Sequence, residues 1–238
     1  MAIEQSFRKI SEWTYDKYGD ASSDSIEKFN NDFEALLLKI LVSNPQTLTA
    51  NFEKPETETF GTDTSPDGNL RIYSWDDRLG GTMRYFGNVF QYKAGGKVYA
   101  TVFKKPETDT DNQLTANDYM PVEIHNVVSE NKTYYLLYRI FIGSSAAYQH
   151  QVKVFSIDGE VLNDKAKLIK TQSGIQNELT WDIDFSAWVN RTKIDPELSY
   201  MQYDELKKVI SIPLISADGK LTKKRIRYQF KGKYFEKI

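Results

Sequence analysis

The segment from Tyr73 to Tyr85 contains the densest group of side chains that could bind a ligand. It reads YSWDDRLGGTMRY, so aromatic rings, two adjacent carboxylates and two guanidinium groups surround a pair of glycines. Aromatic rings stack on the apolar faces of sugars, and carboxylates bind the hydroxyl groups. The alternative is structural, because Asp and Gly also build the turn of a β-hairpin. The candidate binding residues are Tyr73, Trp75, Asp76, Asp77, Arg78, Arg84 and Tyr85.

Two other pairs of residues have a spacing that suits acid–base chemistry. Asp182 and Asp184 could serve the hydrolysis of a glycosidic bond, which uses two carboxyl groups. Both alternate with apolar residues, as Glu123 and His125 also do. Alternation of this kind places polar side chains together on one face of a strand. A solvated strand face is therefore the favoured interpretation of both pairs.

His150 and Arg139 are polar residues at positions that should face a core. His150 is in register with Tyr148 and Val152 on the apolar side of a strand. A buried imidazole can act as a general base or as a hydrogen-bonded core residue, and the second role is favoured. Arg139 interrupts the apolar run from Tyr134 to Ile142, so we predict a buried or interfacial ion pair there.

Several classes of chemistry are excluded by composition and motif content. The chain has no Cys and two His, which removes disulfides, thiolate nucleophiles and Cys-ligated metals. It has no nucleophile elbow, P-loop, zinc-protease motif or dinucleotide fingerprint. Asp109 and Asp111 start like a calcium loop, but Leu114 replaces its Gly and Met120 its closing Glu. We expect no cofactor and no metal, and a role without catalysis is favoured.

Charge and hydropathy limit the partners. The chain has 31 basic and 33 acidic residues, a formal net charge of -2, which gives no support to nucleic-acid binding. The basic stretch around Lys224 and Arg227 alternates with Ile226 and Tyr228, as in a strand with one solvated face. No apolar run approaches the roughly 20 residues that span a bilayer. We expect neither a nucleic-acid partner nor a membrane span.

The location of the protein is left open by its N-terminus. Residues Met1 to Ser6 lack the charged and apolar regions of a secretory signal. The protein is therefore cytoplasmic as the sequence stands, or periplasmic or exported if a signal peptide was removed.

Two amphipathic helices are predicted at the start of the chain. From Ile3 to Tyr18, apolar residues recur every three to four positions, which is the period of a helix face. Asp24 and Glu27 have the spacing of a capping box. A second apolar stripe follows from Ile26 to Leu41 and stops before Pro45.

After Pro45 the pattern changes to strands joined by short turns, with turn residues at 65–68, 95–96 and 158–159. Closely spaced turns without helical patterns between them favour antiparallel meanders. We predict an α+β, mainly β fold with one domain over residues 1–238, in which helices within 1–45 pack on an antiparallel β-meander sheet or sandwich formed by 46–238. The predicted strands are Asn69–Trp75, Thr82–Tyr92, Lys97–Phe103, Tyr134–Ile142, Val152–Ile157, Leu179–Phe185, Lys207–Leu214, Leu221–Phe230 and Lys233–Glu236.

Three stretches of turn and strand residues resemble uncharacterised exported proteins of Bacteroidota-type bacteria. They are the segments Ser65 to Asp76, Gly80 to Met83 and Tyr228 to Phe235. The resemblance implies a bacterial envelope setting and brings no activity with it.

Two functions are compatible with these observations. The first is a non-catalytic binding module of a bacterial cell envelope that recognises a protein partner. An immunity-type inhibitor of a toxin would be one instance. The many Tyr and Trp residues, which anchor protein interfaces, support it. The alternative is a carbohydrate-binding protein or a carboxylate-based glycosidase that uses the Trp75 region.

Overall fold

The computed structural model describes residues 23–50, 60–103, 118–186, 200–216 and 221–238. Within these ranges it contains one α-helix, a short 3-10 helix and fifteen β-strands, so the chain is mainly β as predicted. The predicted helix from Ile3 to Tyr18 lies outside the described residues. The described residues form two compact units.

The first unit contains the helix and a four-stranded sheet. It is formed by the described residues up to Pro121, with Phe141–Ser145 and Gly159–Val161. The strands follow the order β1-β2-β3-β4, and each pairs antiparallel with the next, which is the predicted meander. The elements are α1 (Ser23–Ser43), the 3-10 helix (Pro45–Leu48), β1 (Phe60–Thr64), β2 (Leu70–Asp76), β3 (Phe86–Ala94) and β4 (Lys97–Thr101).

Helix α1 packs on one face of this sheet, as predicted for the second helix. Its buried stripe recurs at the helical period, because residues four apart lie on the same face. On the sheet, Tyr73 and Trp75 are two residues apart and Tyr73 pairs with Val89, so all three share a face. The resulting core consists of Phe33, Leu37, Leu41, Tyr73, Trp75 and Val89.

The hairpin turns form where the sequence predicts them. Gly95 and Gly96 join β3 to β4 with φ values of 55° and 81°. Two consecutive left-handed residues give the turn whose twist matches paired strands, and glycine adopts them without a steric penalty. Between β1 and β2, the Gly68 amide donates to the Ser65 carbonyl at 2.8 Å.

The second unit is formed by residues 122–140, 146–158 and 162–238 where described. One sheet has the order β11-β7-β6-β5, with β8 paired to β7, and another has the order β10-β9-β15-β14-β13-β12. The strands are β5 (Met120–Ser129), β6 (Lys132–Ile142), β7 (Ala147–Asp158), β8 (Val161–Asn163), β9 (Ile169–Thr171), β10 (Gly174–Gln176), β11 (Glu178–Asp184), β12 (Gln202–Asp204), β13 (Val209–Ile215), β14 (Leu221–Phe230) and β15 (Phe235–Lys237).

Strand β6 is internal to its sheet and buried from Tyr135 to Ile140, which confirms the prediction for its apolar run. Strands β15 and β9 differ from the expected antiparallel meander, because they pair in parallel. Turn residues specify the pairing of strands that follow one another, whereas β9 and β15 are distant in sequence. No helix among the described residues is long and apolar enough to cross a membrane.

Candidate functional site

The predicted binding residues divide between strand β2 and the connection from Asp77 to Tyr85 that joins β2 to β3. In β2, Tyr73 and Trp75 are 0% and 2% exposed. The Trp75 ring meets Phe33 edge-on, with centroids 4.9 Å apart. The Tyr73 hydroxyl lies 2.8 Å from the Thr47 carbonyl oxygen, and burial raises its pKa to about 12. The faces of both rings therefore contact the core. Neither ring face is accessible to a sugar from the solvent.

Asn30 of α1 links the helix to β2 and to the connection. Its Oδ1 accepts a hydrogen bond from Trp75 Nε1 at 2.8 Å, and its Nδ2 donates to the Asp77 carbonyl at 2.8 Å. The sequence analysis did not select Asn30. It lies four residues after Ile26 and three before Phe33, within the apolar stripe. A polar residue in that position is the signal that would have indicated a buried hydrogen bond.

The two adjacent carboxylates shape the connection. Asp76 Oδ1 accepts from the Arg78 amide at 3.0 Å, and Asp77 Oδ1 accepts from the Leu79 amide at 2.9 Å. Both are the local side-chain turns that Asp favours. Asp76 Oδ2 also lies 3.4 Å from Arg84 Nη1. Burial raises the pKa of Asp77 to about 6, and the charges of Asp76 and Asp118 add to the increase.

Backbone hydrogen bonds close the connection at its base. The Asp77 amide donates to the Tyr85 carbonyl at 3.1 Å, and the Arg84 amide donates to the Ile142 carbonyl at 2.9 Å. The Tyr85 ring lies 6.2 Å from the Phe141 ring, centroid to centroid. All seven predicted residues thus lie in this connection or in strand β2 directly before it, and the structure brings Asp76 and Arg84 into contact.

The tip of the connection, residues 79–83, carries exposed apolar side chains. Leu79 is 42% exposed and Met83 is 39% exposed. Arg84 follows Met83 in the sequence, and its side chain is 55% exposed. The sequence analysis did not select Leu79 or Met83 as binding residues. Their signal is the presence of large apolar residues on both sides of the Gly80–Gly81 pair, where a solvated turn would carry polar ones.

The second unit buries His150 in an aromatic cluster, as the core interpretation predicted. His150 is 2% exposed, and its Nδ1 lies 2.6 Å from the Tyr138 hydroxyl. The Trp181 ring lies 5.2 Å from the imidazole. Burial lowers the pKa of His150 to about 4, so the ring is neutral near pH 7.

The remaining polar candidates occupy strand faces. Asp182 is exposed and its Oδ1 accepts from Gln149 at 2.7 Å, while its neighbour Ile183 is buried, so the alternation predicted for β11 is confirmed. Arg139 is buried, as expected, and its Nε donates to Gln151 Oε1 at 2.7 Å, while the ion pair predicted for it stays a prediction. The acidic stretch of Asp109 and Asp111 lies outside the described residues. Among the described ones, no group of three or more His, Asp or Glu residues could hold a metal ion.

Comparison of the chain with protein-family models, with curated proteins and with solved structures gave no match.

Proposed function

We propose that this chain is a non-catalytic binding module of a bacterial cell envelope, and that it recognises a protein partner through the Asp77–Tyr85 connection. The observation that carries the proposal is that Leu79 and Met83 are exposed on a segment whose base is held by hydrogen bonds. The envelope setting follows from the resemblance of the turn and strand segments to exported proteins.

The residue types of the tip suit a protein interface. Met, Arg and Tyr are enriched in protein interfaces relative to the rest of the surface. Arg84 directly follows Met83, and Leu79 lies four residues before Met83 in the same short connection, so an apolar contact there would be flanked by a guanidinium group. A segment that is already ordered loses little conformational entropy on binding, and more of the contact energy then contributes to affinity.

The burial of Tyr73 and Trp75 favours a protein partner over a sugar at this site. Stacking on a sugar requires an accessible ring face, and these two rings lie in the core under α1. An immunity-type inhibitor is one instance of the proposal, in which the connection would cover a functional surface of a toxin.

The test compares two double variants that each remove two exposed apolar side chains. Leu79→Ser with Met83→Ser changes the tip of the connection. Val128→Ser with Leu206→Ser is the matched control in the second unit, where these side chains are 56% and 97% exposed. The immobilised wild-type protein is incubated with an envelope extract of the bacterium that encodes it, and bound proteins are quantified by mass spectrometry.

We expect the wild-type protein and the control variant to retain one partner in stoichiometric amount. The affinity of the tip variant for that partner should fall about 30-fold, the effect of losing a hot-spot contact of about 2 kcal/mol. A partner that binds the tip variant as tightly as the wild-type protein would contradict the proposed interface. If no protein is retained in stoichiometric amount, a protein partner from the envelope is excluded.

A further inference from the structure

A cleft of about 620 Å³ opens in the second unit where β14, β15 and β9 run side by side. Its volume lies within the range of small-molecule sites, which extends from about 300 to 1,000 Å³. Five strand residues line it, namely Tyr228 of β14, Glu236 and Lys237 of β15, and Lys170 and Thr171 of β9. The hairpin between β9 and β10 adds Gln172 and Ser173.

The register of the strands places Tyr228, Lys237 and Thr171 in a row. Tyr228 pairs directly with Lys237 across β14 and β15. Glu236 pairs with Lys170 across the parallel strands β15 and β9, so the next residues along, Lys237 and Thr171, are also neighbours. Directly paired residues point to the same face of a sheet. The phenol, the ammonium group and the hydroxyl therefore share one face.

Several hydrogen-bond donors of the cleft are not used within the described part of the chain. There, the Lys237 ammonium group forms no ion pair, and neither the Tyr228 hydroxyl nor the Gln172 amide forms a hydrogen bond. Lys170 differs, because its Nζ lies 3.1 Å from Glu236 Oε1. That pair is electrically neutral, so the uncompensated positive charge of the cleft is the one on Lys237.

We propose that this cleft binds a small anionic sugar. Lys237 would hold the anionic group by a charge-assisted hydrogen bond. The Tyr228 ring would pack against an apolar face of the sugar, and Gln172 and Ser173 would bind its hydroxyl groups. A neutral sugar leaves the Lys237 charge unused, and a bare anion leaves the ring and the amide unused. The site shares no residue with the Asp77–Tyr85 connection.

The first test titrates the full chain with four probes and follows backbone amides by NMR. The probes are glucuronate, glucose 6-phosphate, glucose and inorganic phosphate. We expect both anionic sugars to shift the amides of residues 170–173 and 236–237, with glucose and phosphate each binding at least about tenfold more weakly. Glucose binding equal to that of the anionic sugars would overturn the role of Lys237. Phosphate binding equal to that of glucose 6-phosphate would overturn the sugar component, and the absence of shifts would overturn the site.

The second test removes the proposed contacts one at a time. Lys237→Met should weaken binding of both anionic sugars at least about tenfold, since a hydrogen bond to a charged group is lost. Lys224→Met is the matched control, because Lys224 is an exposed lysine of β14 that does not line the cleft. Tyr228→Phe keeps the ring and should bind more tightly than Tyr228→Ala. Unchanged affinity in Lys237→Met, or an equal loss in Lys224→Met, would overturn the proposal.

Discussion

The cluster around Trp75 and the cluster around His150 both bury hydrogen-bonding atoms among aromatic rings, but their polar partners differ. Trp75 donates to the amide of Asn30, which does not titrate. Tyr138 bonds to the imidazole of His150, whose pKa burial lowers to about 4. An amide keeps its hydrogen bond at every pH, whereas a buried imidazole resists protonation until the fold is destabilised. The same packing arrangement is therefore insensitive to acid in one unit and sensitive in the other.

The two clusters also differ in their exposure. Trp75 is 2% exposed and lies under α1, in contact with Phe33. In the His150 cluster, Trp181 is half-buried and Tyr200 is 46% exposed. The Trp75 cluster thus anchors a helix to a sheet, and the His150 cluster extends to the surface.

The largest effect is expected from truncation of the buried indole. Trp75→Ala should lower the free energy of unfolding by about 3–5 kcal/mol, because the lost ring leaves a cavity between α1 and the sheet. Trp181→Ala should cost about half as much, since its ring already contacts solvent. Urea denaturation followed by circular dichroism measures both. Equal losses would show that the two clusters contribute alike.

The second-largest effect is expected in the pH dependence of the free energy of unfolding, in which the two clusters should differ. The ordinary pKa of His is 6.5 and that of His150 is about 4, so the unfolded chain takes up the proton first as the pH falls. The stabilisation from neutral His150 is complete above pH 6.5 and decreases by about 3 kcal/mol towards pH 4. His150→Asn should remove this slope, whatever the variant's stability at pH 7. Denaturation midpoints at a series of pH values give the slope, and an unchanged one would contradict the assignment.

A smaller effect is expected at Gly87 of β3, which pairs with Trp75 and lies against its indole ring. A Cβ atom at Gly87 would lie 2.2 Å from Trp75 Cε2, so Gly87→Ala forces the indole to move and should cost about 1–3 kcal/mol. Gly61→Ala in β1 is the control, because its Cβ would have no heavy atom within 4 Å. In the Trp75→Phe background, the cost of Gly87→Ala should decrease, which thermal unfolding of the four variants would reveal.

The smallest effect is expected at Asp77, whose pKa is shifted in the direction opposite to that of His150. Its pKa rises from 3.8 to about 6, so the folded state favours the protonated form. The associated stabilisation is present below pH 3.8 and is lost as the pH rises through 6. Asp77→Asn keeps an acceptor for the Leu79 amide without the charge. Because Asp77 is only partly buried, solvent reduces the effect below what the full shift implies, so the free energy of unfolding at pH 7 should rise by about 1 kcal/mol. Stability at pH 4 should be nearly unchanged.

The sequence predicted most elements well because their signals are local. The apolar stripe of α1 and the glycine pair between β3 and β4 each specify a conformation within a few residues. Strand β14 was predicted with the bounds that it has in the structure, Leu221–Phe230. Short strands such as β9 and β10 were not predicted, because three residues give no usable periodicity. The role of the Asp77–Tyr85 segment in binding stays a prediction.

The spacing of residues along the chain is enough to show which side chains share a face, since residues two apart in a strand and four apart in a helix point the same way. The chain also marks its hairpins locally, through residues that adopt left-handed turns. Which faces are covered depends instead on packing between distant segments. Tyr73 and Trp75 are buried by α1, and β15 pairs in parallel with the distant β9. Periodicity cannot show this, because covering a face depends on a partner from elsewhere in the chain. For this reason Trp75 belongs to the core, while Leu79 and Met83 are exposed at the tip of the Asp77–Tyr85 connection.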